Sequence, residues 1–253
     1  MKHIHIWVFG ICFSVLFLCA CSAPPEPVGS LLSKACAKAS NGDWLGADTL
    51  ARQVLKQENA NIDALLLCAL ARSNLDSERE AIDYAMKAAE LAPGNFHAQY
   101  IKGFLLYKSG KYDLALGPLR AARNLREDDL NTLILLAQTS YVRKNLIQSA
   151  GYYSLLVRIP KYGNSPLPWN GIGVCYAQSN PRKALAFFRK AEQLSPYDPA
   201  TALNLAVLYD VHLRQPAAAK SYYERFLRLS TGKAEYDSIR GTAELRFDSM
   251  KGK

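Results

Sequence analysis

The hydrophobic pattern divides the chain into a short apolar N-terminal segment and a long region in which small residues recur at a fixed interval. Residues 4–17 are almost wholly apolar, whereas the region beyond residue 30 alternates apolar and polar positions. Two series of small residues recur every 34 positions, Ala69, Gly103 and Ala137 in one and Ala47, Ala81 and Ala115 in the other. A fixed period of this length predicts a stack of similar supersecondary units, in which each unit buries its apolar face against its neighbours.

Each unit is predicted to consist of two antiparallel helices joined by a tight turn. Residues 41–44 and 109–112 mark two of these turns, and each contains a glycine, which accepts backbone angles that other residues resist. The recurring small residues would let the helices approach closely, while larger residues fill the space between units. Those larger residues include Trp169, Tyr176, Phe188 and Tyr223.

The fifth unit carries the fullest set of recurring residues. Its positions are Trp169, Ile172, Gly173, Tyr176, Ala184, Phe188, Ala191 and Pro196. This set resembles the tetratricopeptide repeat, whose pattern is W-x2-L-G-x2-Y, then A-x3-F, then P. The resemblance covers about four-fifths of the chain. It implies an all-α fold, a right-handed superhelical solenoid of about six helix pairs over residues 30–231, with a capping helix and tail over residues 232–253.

The N-terminal segment has the features of a secretory leader. Residues 1–20 combine a positive start with an apolar run that is shorter than the about 20 residues of a membrane-spanning helix. Leu18, Ala20 and Cys21 resemble the bacterial lipobox, which implies acyl chains on Cys21. Ser22 favours the outer membrane, on its periplasmic side, in the enterobacterial sorting pattern. Residues 21–29 would form a stiff proline-rich tether. The alternative for the N-terminal segment is a plain signal peptide or a single anchor helix, without lipid on Cys21.

The resemblance also indicates where a partner would bind. In tetratricopeptide-repeat proteins the first helix of each unit lines a concave groove. Carried over by position, the expected groove residues are His97, Tyr100, Phe104, Tyr107, Lys108, Asn131, Ile134, Gln138, Tyr141, Asn170 and Gln178. Aromatic and amide side chains suit an extended peptide, because aromatic rings bury area and amides pair with the backbone. The alternative is that these aromatics only fill gaps between first helices.

The charge of the chain is unevenly distributed. The formal net charge is +9, and residues 96–190 hold fourteen Lys and Arg against four Asp and Glu. Behind a lipobox this excess does not suggest nucleic acid, and it fits an anionic envelope component or an acidic protein face. A solvated basic face with no partner remains equally open. Three prolines within residues 160–168 predict a longer loop, which could act as a hinge between units four and five.

No catalytic or metal-binding motif stands out. Cys36, Cys68 and Cys175 match no zinc spacing and are predicted to be buried free thiols, with a Cys36–Cys68 disulfide as the alternative. No cofactor is expected. The sequence therefore favours a non-catalytic scaffold that binds an envelope protein or peptide and is held at the membrane by its lipid. It also resembles the pilotin lipoproteins of type IV pilus assembly, and a binder of anionic cell-wall glycan or lipid is the competing class.

Overall fold

A computed structural model describes residues 25–250, and these residues form a stack of helix pairs. The leader over residues 1–20 and the expected lipid site at Cys21 lie outside the described residues. The first helices of the six units are α1 (Val28–Ser40), α3 (Ile62–Asn74), α5 (Phe96–Lys108), α7 (Leu130–Val142), α10 (Pro166–Tyr176) and α12 (Pro199–Val207). The second helices are α2 (Trp44–Gln57), α4 (Glu78–Leu91), α6 (Tyr112–Leu125), α8 (Leu146–Arg158), α11 (Pro181–Leu194) and α13 (Pro216–Leu229).

The predicted all-α architecture is confirmed. Residues 25–250 contain no β-strand, each first helix packs on the second helix of its own unit, and each second helix packs on the next first helix. Because α1 begins at Val28, residues 28 and 29 belong to the solenoid and not to the expected tether. No helix within the described range is long and apolar enough to cross a bilayer.

The recurring small residues lie where two helices meet. Ala47, Ala81 and Ala115 have no exposed surface. A Cβ added at Gly103 would lie 2.6 Å from the Cδ2 atom of Leu119 and 3.2 Å from its backbone nitrogen. The small side chains therefore allow a close approach between the first and second helices of a unit, as the spacing predicts.

A capping residue that also repeats fixes the start of several first helices. The side chains of Asn61, Asn95, Asp129 and Asp198 each accept a hydrogen bond from the backbone N–H three residues later, at 2.8–3.1 Å. Such caps satisfy N–H groups that have no partner within the helix. They keep the loops between units short and hold successive first helices in register.

The expected loop over residues 160–168 is largely helical, which corrects the prediction of a hinge. Pro160 begins a short helix, α9 (Pro160–Gly163), and Pro166 begins α10. Proline is tolerated in the first turn of a helix because the N–H it lacks would be unpaired there. The indole Nε1 of Trp169 donates a hydrogen bond to the carbonyl of Gly163 at 2.9 Å and so ties α9 to α10.

The insertion changes how units four and five meet. First helices contact each other in the pairs α1–α3, α3–α5, α5–α7 and α10–α12, whereas α10 rests on α8 and has at most marginal contact with α7. A gap therefore opens between α7 and α10.

The C-terminal helix is present and caps the stack. A 3₁₀ turn (Ala234–Tyr236) leads into α14 (Asp237–Asp248), which packs on α13. At the end of α12, a π turn (Leu208–His212) carries Asp210, whose carboxylate accepts two hydrogen bonds from the Arg246 guanidinium at 2.6 Å. The irregular turn thus supplies the carboxylate that fastens the capping helix.

The cysteines differ in part from the prediction. Cys68 and Cys175 are buried, but Cys36 is exposed, and all three are free thiols, so the alternative Cys36–Cys68 disulfide is absent. Burial raises the pKa of the Cys68 thiol to about 12, with the nearby Asp48 carboxylate adding to the shift. Cys36 occupies the repeat position of Phe104 and Gln138, which are groove positions and not core positions.

Candidate functional site

The gap between α7 and α10 forms a cavity on the side of the first helices. We call it the α7–α10 cavity; its volume is about 320 Å³. Ile134 and Gln138 of α7 line one wall, and Asn170 and Val174 of α10 line the other. These four residues hold equivalent positions in successive units, so the repeat itself places them opposite each other.

A tyrosine from a second helix lies beneath this cavity. The Tyr153 ring of α8 lies against Gly171, where an added Cβ would come within 2.6 Å of three ring carbons. Burial raises the pKa of the Tyr153 phenol to about 12. Gly171 thus leaves room for an aromatic floor, which a larger residue at this position would displace.

Hydrogen bonds fix the α10 wall of the cavity. The Asn170 side-chain amide donates to the hydroxyl of Thr201 at 2.7 Å, and its carbonyl accepts from the Asn204 side-chain amide at 3.2 Å. Asn170 therefore mainly holds α10 against α12. Among the described residues, no group donates a hydrogen bond to the side-chain carbonyl oxygen of Asn204, and the side-chain amide of Gln138 has no hydrogen-bond partner. Both groups are therefore available to a ligand.

A second cavity adjoins the first. This C-terminal cavity has a volume of about 350 Å³ and shares Val174 and Asn204 with the α7–α10 cavity. Its other lining residues include Tyr141, Gln178, Val207, His212 and Ile239. Together the two cavities form a continuous groove across units four to six, and α14 closes its end through Ile239.

The C-terminal cavity exposes apolar side chains together with polar groups. Tyr141, Val207 and Ile239 line this one cavity and are each 38–40% exposed. Among residues 25–250, the Tyr141 hydroxyl and the Gln178 amide have no hydrogen-bond partner. The surface thus offers apolar area and unused hydrogen-bonding groups at the same place.

The predicted residues of unit three are arranged differently. Phe96, Tyr100 and Phe104 form a stacked ladder along α5, with ring centroids 5.8 and 6.4 Å apart and planes within 13° of parallel. The Arg126 guanidinium lies over the remaining face of Phe96, 4.2 Å from its centroid. Tyr100 and Phe104 are half-buried and also pack against the core of the stack. The residues expected to bind a ligand here are therefore largely engaged in packing within the protein.

The remaining predicted residues line neither cavity. Lys108 donates hydrogen bonds to the carbonyl and hydroxyl oxygens of Ser73, at 3.1 and 3.0 Å, and so ties α5 to α3. Tyr107 packs edge-on against Tyr112. His97 and Asn131 are exposed near the starts of their helices. Of the predicted set, the structure brings Ile134, Gln138, Tyr141, Asn170 and Gln178 into the groove.

The groove residues that escaped the sequence prediction include Tyr153, Gly171, Asn204, Val207 and Ile239. Val207 holds the same repeat position as Gln138 and Val174, so the repeat spacing could have predicted it. Asn204 lies one residue beyond the position equivalent to Asn170. Tyr153 and Ile239 come from helices other than first helices, so the repeat pattern carried no signal for them.

The groove has little charge of its own. Asp198 is the one carboxylate among the residues lining the two cavities, and it already accepts hydrogen bonds from Thr201 and Asn170. Within residues 25–250, no group of His, Cys, Asp and Glu side chains is arranged to hold a metal ion. The lining is therefore suited to forming hydrogen bonds with a ligand and to burying its apolar groups.

Neither a protein-family model nor a curated protein sequence matches the chain. Solved structures do match its fold. Pseudomonas aeruginosa pilF is 19% identical with a TM-score of 0.65, over 85% of this chain and 97% of the pilF chain. MamA is 20% identical with a TM-score of 0.61, over 67% of this chain and 92% of the MamA chain.

A third similar structure is YrrB, described as a TPR protein with an unusual peptide-binding site. It is 15% identical with a TM-score of 0.57, over 77% of this chain and 97% of the YrrB chain. A tetratricopeptide repeat protein from Parabacteroides merdae matches over 88% of this chain with a TM-score of 0.63. The fold is therefore that of the tetratricopeptide-repeat proteins.

Proposed function

We propose that the protein is a scaffold that binds an extended segment of a partner protein in the groove of units four to six. The observation that carries this proposal is the pair of adjoining cavities, in which exposed apolar side chains lie beside unused amides. An extended segment presents alternating side chains and free backbone groups. Its side chains would enter the two cavities, and its backbone would pair with Gln138, Asn204 and Gln178.

The groove is also suited to such a segment energetically. Its lining is held by internal contacts, notably between Asn170 and Thr201 and between Gly171 and Tyr153, so little ordering is needed on binding. Aromatic anchors near the centre of an interface often cost about 2 kcal/mol or more when truncated. We expect Tyr141 to be such an anchor, because it lines the C-terminal cavity, is 39% exposed and has a free hydroxyl.

Within this proposal, the scaffold is held at the bacterial outer membrane, on its periplasmic side, through lipid on Cys21, and the leader pattern of residues 1–21 supports this location. Several acyl chains give stable membrane attachment, whereas one gives only marginal binding. Residue 26 lies beside the end of α2, where the Gln57 side-chain amide donates to the carbonyl of Glu26 at 3.0 Å. A tether from Cys21 would therefore approach the edge of the solenoid formed by the loops between units.

A narrower candidate is a pilotin of type IV pilus assembly. The sequence resemblance to those lipoproteins and the structural likeness to pilF over nearly all of the pilF chain support it. A binder of cell-wall glycan is less favoured, because sugars stack on open aromatic faces, whereas Phe96 is flanked by Tyr100 and Arg126, and Tyr100 and Phe104 are half-buried.

The experiment compares partner recovery from membranes by tagged variants of the full chain. Tyr141→Ala and Val207→Arg alter the groove, while Tyr197→Ala removes a tyrosine that is 79% exposed and lies outside both cavities. We expect both groove variants to lose the same partner protein and the control to retain it. Equal recovery by all variants, or retention of glycan with no protein partner, would contradict the proposal.

A further inference from the structure

The turns between the first and second helices of each unit form a continuous edge of the solenoid, which we call the turn edge. Ion pairs join successive turns in its first half. The Nζ atom of Lys111 lies 3.7 Å from the Oε1 atom of Glu78 in the preceding unit. Likewise, the Nε atom of Arg143 lies 2.6 Å from the Oδ1 atom of Asp113 in the unit before it. Neighbouring turns are therefore close enough for each cation to meet a carboxylate of the unit before it.

Beyond Asp113, the turns of units four and five contribute no carboxylate, and the one carboxylate of the unit-six turn, Asp210, is already paired with Arg246. The turn segments of units one and two, residues 36–49 and 70–83, hold three cations and six carboxylates. The equivalent segments of units four and five, residues 138–151 and 174–188, hold four cations and no carboxylate. Lys144 and Arg182 are exposed and have no carboxylate partner among the described residues. This half of the edge thus has cations without the partners that the first half supplies.

Two of the cations occupy backbone positions that favour glycine. Lys144 has φ +61° and Arg214 has φ +54°, in turns where units one and three place Gly42 and Gly110 at φ +77° and +69°. A left-handed conformation costs a residue with a Cβ about 1 kcal/mol or more. The fold accepts this cost at three turns, with the carboxylate Asp76 at φ +55° in unit two and the exposed cations Lys144 and Arg214 in units four and six.

An exposed aliphatic side chain lies beside these cations. Ile147, near the start of α8, is 88% exposed, and it is more exposed than Leu45 and Leu114, which lie at the turns of units one and three and are 65% and 64% exposed. A turn edge that needed only to be soluble would have polar residues at such places. Cations and isolated aliphatic side chains together suit a surface that is acidic and also apolar.

We propose that the turn edge of units four to six binds an acidic segment of another protein that also carries aliphatic side chains. Its carboxylates would continue the series that ends at Asp113, pairing with Lys144, Arg182 and Arg214, and an aliphatic residue would cover Ile147. The proposed segment differs from the groove ligand in both place and chemistry.

A protein fits this edge better than other anionic partners. Anionic polysaccharides and nucleic acid backbones offer no aliphatic group to cover Ile147. A membrane would cover it, but Glu26 lies beside the end of α2, at the edge opposite the turns. A tether from the N-terminus would therefore leave the turn edge facing away from the membrane that holds it.

The test measures binding of a fluorescent peptide of repeated Glu-Glu-Leu-Ser to the full chain in detergent, by anisotropy. A second peptide has glycine in place of leucine and the same charge. The charge variant is Lys144→Glu with Arg182→Glu. Its control, Lys56→Glu with Arg228→Glu, makes the same change in net charge at exposed residues that end second helices at the opposite edge.

We expect the charge variant to bind both peptides about tenfold more weakly, because two attractive contacts become repulsive. The control should change affinity by less than about twofold, since its charges lie beyond the screening length. Ile147→Ser should remove the preference for the leucine peptide.

Equal weakening in the control, or no preference for leucine in the wild-type chain, would overturn the proposal. A lipid arm tests the alternative: the full chain is anchored in phosphatidylcholine vesicles and offered labelled phosphatidylglycerol vesicles. Capture that depends on Lys144 and Arg182, without peptide binding, would identify the partner as a lipid surface and would also overturn the proposal. Circular dichroism melts of each variant verify that the fold is retained.

Discussion

Replacing Gly103 with alanine tests whether the repeating small residues are needed for helix contact. The new Cβ would lie 2.6 Å from two side-chain carbons of Leu119 and 3.2 Å from its backbone nitrogen. Because Leu119 is fully buried and the backbone itself is close, α6 must move away from α5 to make room. Overpacking of this kind costs about 1–3 kcal/mol.

Alanine also stabilises a helix interior relative to glycine, by about 1 kcal/mol, which opposes that cost. The expected net loss for Gly103→Ala is therefore about 0–2 kcal/mol, with the close backbone contact placing it toward the upper end. Gly151→Ala is the matched control, because Gly151 lies within another second helix, α8, is not followed by proline, and an added Cβ there meets nothing within 4 Å. This control should gain about 0.5–1 kcal/mol.

Thermal melts followed by circular dichroism measure the difference. For a chain of this size each kcal/mol shifts the melting temperature by about 2–4 °C, so the two variants should move in opposite directions and differ by several degrees. Stabilisation of both variants by the same amount would refute the reasoning, since it would mean that α5 and α6 do not meet closely at Gly103.

Three other predictions concern the capping helix, the thiols and the helix caps. Arg246 holds the pKa of the Asp210 carboxyl below its ordinary value. The docking of α14 should therefore be stable above about pH 4 and be lost as the pH falls through the lowered pKa. Proteolysis of α14 across a series of acidic pH values measures this loss. With a thiol-specific reagent near neutral pH, Cys36 should react at once and Cys68 only after unfolding, because Cys68 is buried with its pKa raised to about 12. Asn95→Ala removes the cap of α5 and should lower stability by about 1 kcal/mol in denaturant melts.

Each of these predictions has an outcome that contradicts it. An Asp210→Asn variant that loses α14 at the same pH as the wild type would show that Asp210 is not the titrating group. Prompt labelling of Cys68 in the folded chain would contradict its burial. For the cap, an Asn124→Ala variant is the control, because Asn124 is exposed within α6, and equal losses at both sites would rule out a capping effect.

The architecture could be predicted because the 34-residue spacing is a property of the sequence itself. Ala81, Ala115 and Gly103 are small wherever two helices meet, so their period reveals both the unit length and the number of units. The same register places Ile134, Gln138 and Asn170 in one groove. It also explains why Cys36 is exposed, since that residue shares the repeat position of Gln138.

The site could be predicted only in part, because its shape arises where the repeat is broken. The gap between α7 and α10 depends on the insertion that forms α9, and the repeat pattern does not indicate that Pro160 and Pro166 begin helices. The fit of Tyr153 against Gly171 joins two different units. The conformation of α5 side chains, in which Phe96 and Tyr100 stack on each other, is likewise a matter of local packing.

The most direct measurement is photo-crosslinking from the groove in living cells. A photoreactive amino acid replaces Gln178 in the full chain, and the same amino acid at Tyr197, outside both cavities, is the control. The account predicts one protein partner, crosslinked through one short segment at Gln178 and not at Tyr197, and lost when Val207→Arg is added. Crosslinks that are equal at the two sites, or that survive Val207→Arg, would contradict the claim that this groove binds a partner protein.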